Sequence, residues 1–99
     1  MNEPYRITNY SRKQAKRLNV TIRRSTNPKK KLDVFSTDHN NQTRKIASIG
    51  AKGYGDYPTF MRTEGMKSAK KHRKQYKRRH EKDRHRIGSP GFYADQILW

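Results

Sequence analysis

The chain has 99 residues, with 25 Lys and Arg against 8 Asp and Glu, a formal net charge of +17. Only 29% of residues are hydrophobic, against roughly 45–50% apolar in an ordinary globular domain, so one domain with a small core is the ceiling. The absence of cysteine excludes a disulfide framework and a thiolate metal site, and no apolar run approaches the ~18 residues of a membrane span.

Self-repulsion at this charge works against a compact state. The 10% aromatic content works for one, because disordered tails are poor in Tyr, Phe and Trp. The opening MNEPYRITNYSRKQAKR has no apolar stretch and does not read as a secretory signal. Residues 1–10 read as an extended N-terminal arm, and residues 11–99 as a single small α+β domain.

At Ser11 the SRKQ stretch has the Ser-x-x-Gln spacing of a capping box. Ala15 and Leu18 then share a face, which predicts a short helix over about 12–18. The β-branched VTI at 20–22 predicts a short strand, broken by Ser25, Thr26, Asn27 and Pro28.

KLDVFST alternates, with Leu32, Val34 and Ser36 on one side and Asp33 and Phe35 on the other. The polar DHNNQ follows, and TRKIASIG then supplies Ile46 and Ile49 around Ala47. The pattern predicts a β-hairpin over about 31–49.

GAKGYGDYP, with three glycines, predicts a loop or sharp corner. It lacks the Gly-Lys-Ser/Thr ending of a P-loop, and its glycines lack the dinucleotide-fingerprint spacing. Two uses for it stay open: a structural corner, or a backbone approach to phosphate aided by Lys52. Tyr54, Tyr57 and Phe60 beside it are equally candidates for stacking on bases and for the core.

A long basic helix is predicted from about 64 to 87, opened by Thr63 or Glu64 and stopped near Gly88. Met66, Ala69, Arg73, Tyr76, His80, Asp83 and Ile87 form its inward stripe. The candidate contact residues for a polyanion or an acidic protein surface are Lys67, Lys70, Lys71, Arg73, Lys74, Lys77, Arg78, Arg79, Lys82, Arg84 and Arg86. Glu81 is in reach of Lys77 and Arg84, and Asp83 of Arg79, but such exposed pairs contribute only about 0.3–0.5 kcal/mol each.

HEKDRH fails as a zinc motif, because His80 and His85 stand five apart where a shared helix face needs four. No Ser-His-Asp or Cys-His set stands in a recognisable motif, and the acids are scattered. The expectation is a non-enzymatic protein with no cofactor, no metal and no small-molecule substrate. The closing GFYADQILW is too apolar for a free tail. Phe92, Tyr93, Ile97, Leu98 and Trp99 form a docking segment over 91–99, aimed at the chain's own core or at another subunit.

The ordered series DVF, SIGAKGYGDYP, RRHEK and ILW resembles a family of short basic proteins encoded by large nucleocytoplasmic DNA viruses, the algal viruses and their giant relatives. The likeness covers roughly residues 31–99, and AKRLNVTIRRSTNPKKKLDVF extends it upstream. The resemblance implies a structural virion component, a minor capsid or internal protein on the inner side of the capsid. Such a protein would bridge coat proteins through its basic helix and aromatic segments. It also implies an alternative, a genome-associated protein that binds DNA or RNA phosphates irrespective of sequence. In an infected cell either would occupy the cytoplasm or the nucleus.

Overall fold

A computed structural model describes residues 5–99. The fold is a small α+β structure. Among the described residues, a three-stranded antiparallel sheet, with strands in sequence order, carries four helices. Residues 1–4 of the expected N-terminal arm lie outside the described residues, and residues 9 and 10 already belong to the first helix.

α1 spans Asn9–Arg17. Its cap is Thr8, whose Oγ1 accepts from the amide of Ser11 at 3.1 Å. The capping box expected at Ser11 does not form, because Ser11 is buried inside the helix and its hydroxyl donates to the carbonyl of Ile97. Gln14 likewise reaches across the fold, donating to the carbonyl of Gln96 at 2.7 Å.

β1 (Thr21–Arg24) pairs with β2 (Lys30–Thr37), and β2 with β3 (Thr43–Ala51). The hairpin stands where the alternation placed it. Leu32 pairs with Ile49 and Val34 with Ala47, and all four are buried. The inward pair on β3 is therefore Ala47 and Ile49, while Ile46 is only partly buried. A register shift between Val34 and Phe35 breaks the strict alternation. At the tip, the Asp38 carboxylate accepts from the amides of Asn40 and Gln42, and Asn41 takes a positive φ.

The second half departs from the expected single long helix. α2 spans Tyr57–Glu64 and α3 spans Met66–Arg79. Gly65 separates them with φ 92° and ψ 168°, a backbone state open essentially to glycine. α2 begins at Asp56, whose side chain caps the amide of Thr59 with Pro58 in the first turn. α3 stops at His80, and residues 80–88 form a series of turns. Lys, Arg and Glu favour helix intrinsically, but the chain must double back here to return its C-terminal segment to the sheet.

α4 (Pro90–Leu98) is capped by Ser89 and packs on β3 and α1. Ile97, Leu98 and Trp99 join Leu32, Val34, Ile49, Tyr57 and Ala69 in one core. Of the two destinations open to the aromatic segment, these three side chains take the chain's own interior. This corrects their assignment as intermolecular docking residues, since they are 0%, 1% and 9% exposed. Phe92 and Tyr93 are half-buried, ring edge to face against each other.

Candidate functional site

The site follows from where the few carboxylates go. Asp33, Asp56 and Asp95 are buried. Asp33 accepts from the hydroxyls of Ser25 and Ser48 and from the amide of Thr26, with Lys45 3.8 Å away. Burial pushes its carboxyl up, but these donors outweigh burial and hold it below the ordinary value. Asp56 meets Lys31 at 2.9 Å, the phenol of Tyr5 at 2.7 Å and the Thr59 amide at 3.0 Å. Burial again opposes ionisation, and the Lys31 charge with these hydrogen bonds overcomes it. The same contact with Asp56, on top of burial, raises the Tyr5 phenol, which stays a neutral donor. Asp95 meets Lys77 at 2.8 Å and Arg84 at 3.8 Å.

Glu64 and Glu81 are exposed but engaged. Glu64 accepts from Ser68 and faces His72, and Glu81 faces Arg84 and His85. Hydrogen bonds from Ser68 and His72 lower the first carboxyl, and bonds from His85 and Arg84 lower the second. Asp83 pairs loosely with His80 at 3.7 Å, and Asp38 is tied into the hairpin tip. The fold thus draws its negative charge inward or locks it in local pairs, while most cations stay outside.

The eleven predicted contact residues divide. Lys67, Lys70, Lys71, Lys74, Arg78, Arg79, Lys82 and Arg86 are exposed. No carboxylate among the described residues pairs with any of them. Arg73, Lys77 and Arg84 hold the fold together instead. The Arg73 guanidinium lies 4.1 Å from the Tyr57 ring centre, and Lys77 and Arg84 answer Asp95. The expected Glu81–Lys77 and Asp83–Arg79 pairs are absent, because Lys77 takes the buried carboxylate and Asp83 turns to His80.

On α3 the inward stripe holds at its middle. Ala69 is buried, and Tyr76 stacks on Trp99 with ring centres 4.5 Å apart. Burial, aided by Asp95 and Asp83, pushes the Tyr76 phenol up to about 12. His80 stacks on the other side of Tyr76 at 4.3 Å. The stripe fails at its ends, where Met66 and Ile87 are exposed. Away from it, Lys67, Lys71, Lys74 and Arg78 recur at intervals of four and three and form a row. At 1.5 Å per residue the row runs about 17 Å.

A second group of cations escapes sequence reading. Arg6, Arg12, Arg24, Lys52 and Arg62, with the paired Lys31, line a cleft of about 1170 Å³ between the N-terminal segment, α1, β1, β2, the β3–α2 turn and α2. No local signal announces it, because these residues are dispersed along the chain and only topology assembles them. Tyr54 lines this cleft and also the adjoining groove of about 540 Å³ between the sheet and α2, α3 and α4. The three ring candidates near the corner separate accordingly. Tyr57 is buried, Phe60 stacks on His72 at 3.7 Å, and Tyr54 is 75% exposed. Among the described residues, no group of three or more His, Cys, Asp or Glu gathers to hold a metal, and no helix is long and apolar enough to cross a membrane.

Fold and surface together define a small basic α+β protein with a cationic exterior. No family model, curated protein or solved structure matches the chain.

Proposed function

We propose that this protein is a non-enzymatic, sequence-independent nucleic-acid binder that holds phosphates against the exposed row of α3. The observation that carries the reading is the segregation of charge: buried Asp33, Asp56 and Asp95 inside, unpaired Lys67, Lys71, Lys74 and Arg78 outside. A one-sided cationic surface gains by releasing the counterions of a polyanion. The row of about 17 Å matches roughly half of the ~34 Å turn of a DNA duplex. In the setting that the family resemblance implies, the nucleic acid is the packaged viral genome and the protein a virion component.

The coat-protein bridge is the weaker reading, because Ile97, Leu98 and Trp99 lie in the chain's own core. Its acidic-surface half shares the same cations and differs only in the partner.

Titration of duplex DNA over a range of salt concentrations tests the proposal. Affinity should fall linearly on a log–log plot, with a slope of about −0.9 per phosphate contacted. Replacing Lys67, Lys71, Lys74 and Arg78 by Gln should weaken binding and flatten that slope by several units. Unchanged affinity and slope in that variant, or equal affinity for polyglutamate and DNA, would overturn the reading.

A further inference from the structure

The two concave surfaces either side of Tyr54 differ in chemistry. The cleft is cationic: Arg6, Arg12, Arg24, Lys52 and Arg62 line it, and no carboxylate among the described residues lines it with them. None of the five forms an ion pair among the described residues. The groove holds more rings, with Lys30, Lys31, Arg79 and Asp83 also in its lining. It is bounded by Phe60 stacked on His72 and by Tyr76 stacked on Trp99.

Tyr54 stands between them on a turn flanked by Gly53 and Gly55. Gly53 has φ 93° and nothing within 4 Å of where a Cβ would project. Behind Tyr54, a Cβ at Gly55 would collide with the Phe60 ring, so the turn sits tight on the aromatic wall. The phenol ring itself, 75% exposed, is left with a free face.

We infer that this surface is a binding track for single-stranded nucleic acid, with backbone phosphates along the cationic cleft and a base stacked on Tyr54 at the entrance to the aromatic groove. The inference rests on the proposed partner being nucleic acid and adds which form it takes and where. Single strands need a cationic track and open aromatic faces together, because their bases are unstacked and available. A duplex presents phosphates but keeps its bases stacked, so the α3 row serves it and Tyr54 does not.

The test compares an oligothymidylate of about a dozen nucleotides, within the usual ~4–16 nucleotide site sizes, with a duplex of the same length. Tyr54→Ala should weaken the single strand by about 5- to 150-fold, the equivalent of one stacked base. Tyr54→Phe should restore it, and neither change should alter duplex affinity. Arg24→Gln, Lys52→Gln and Arg62→Gln together should reduce single-strand affinity and its salt slope more than those for the duplex. Circular dichroism of these surface variants checks that the fold is kept. If Tyr54→Ala binds the single strand normally, or the cleft variant weakens both forms equally, the track is refuted while the α3 proposal stands. If the α3 variant alone leaves duplex binding intact but Tyr54→Ala impairs the single strand, the α3 proposal fails and the track stands.

Discussion

The ammonium of Lys31 lies 2.9 Å from Oδ2 of Asp56, and both side chains are closed to solvent, at 5% and 1% exposure. The pair joins β2 to the N-terminus of α2, where Asp56 also serves as the cap. Removing one charge from such a pair leaves the other buried without compensation, at a cost of about 3–5 kcal/mol. Lys31→Met should therefore lower stability by that order in urea denaturation. Lys31→Met with Asp56→Asn should be less destabilised than the sum of the two single changes, since each single change strands one buried charge and the double change strands none, while Asn keeps the cap in both backgrounds. Strict additivity would show that the ion pair has no coupling.

Acid should unfold the protein through the same carboxylates. Asp33 and Asp56 are held below their ordinary value in the folded state. The unfolded chain therefore binds more protons than the folded one in that range, and stability rises with pH across it. Their contribution is complete above the unfolded value of about 3.9 and is lost as pH falls through the lower folded values. Thermal unfolding should show a melting temperature that drops steeply below about pH 4. Asp33→Asn should start lower and fall less. A melting temperature that ignores acid would refute this.

Trp99 is 9% exposed and packed between Tyr76 and Phe60. Trp99→Ala should cost about 3–5 kcal/mol by cavity formation, seen as an earlier and still cooperative urea transition by circular dichroism. A double-mutant cycle with Tyr76→Ala should return about 0.5–1.5 kcal/mol for the stacked rings. A wild-type transition in Trp99→Ala would mean that α4 does not dock as described.

Gly50 and Gly53 both have positive φ, at 79° and 93°, but their surroundings differ. A Cβ at Gly50 would stand 2.7 Å from Leu98 Cδ1 and 3.0 Å from Lys31 Cδ, whereas Gly53 faces open space. Gly53→Ala should cost about 1 kcal/mol, from backbone strain alone. Gly50→Ala should add about 1–3 kcal/mol of overpacking. Equal melting temperatures for the two variants would contradict the close approach of α4 to β3.

The sheet was legible because its signals are local. Alternation at Leu32 and Val34, β-branched residues at 20–22 and a polar DHNNQ give strands and a turn whatever surrounds them. The helices of the second half were less so. Asp56 with Pro58 is a helix start, hidden by the glycines before it. Ser89 with Pro90 reads equally as a stop for one helix and a start for the next, and only the start is realised, because α3 has already ended at Arg79. The end of the basic helix at Arg79 is decided by tertiary contacts: Asp95 on α4 draws in both Lys77 and Arg84. Capping at Thr8 rather than Ser11 has the same origin, because the Ile97 carbonyl claims the Ser11 hydroxyl. The cations of residues 67–86 were legible as a set, but which of them stay free was not, since Arg73, Lys77 and Arg84 turn to Tyr57 and Asp95. The cleft of Arg6, Arg12, Arg24, Lys52 and Arg62 was not legible, since its members share no segment.

Sequestering Asp33, Asp56 and Asp95, with Glu64, Glu81 and Asp83 already engaged in local pairs, leaves two copies of the molecule facing each other mainly with cations. At about 0.01 M salt, where the Debye length is ~30 Å, they should repel over that range and resist crowding on their own. Close packing then calls for screening salt or for anions between neighbours, the place the proposed nucleic acid would take. On that proposal, the number of molecules per length of nucleic acid would follow from charge balance rather than from contacts between protein surfaces.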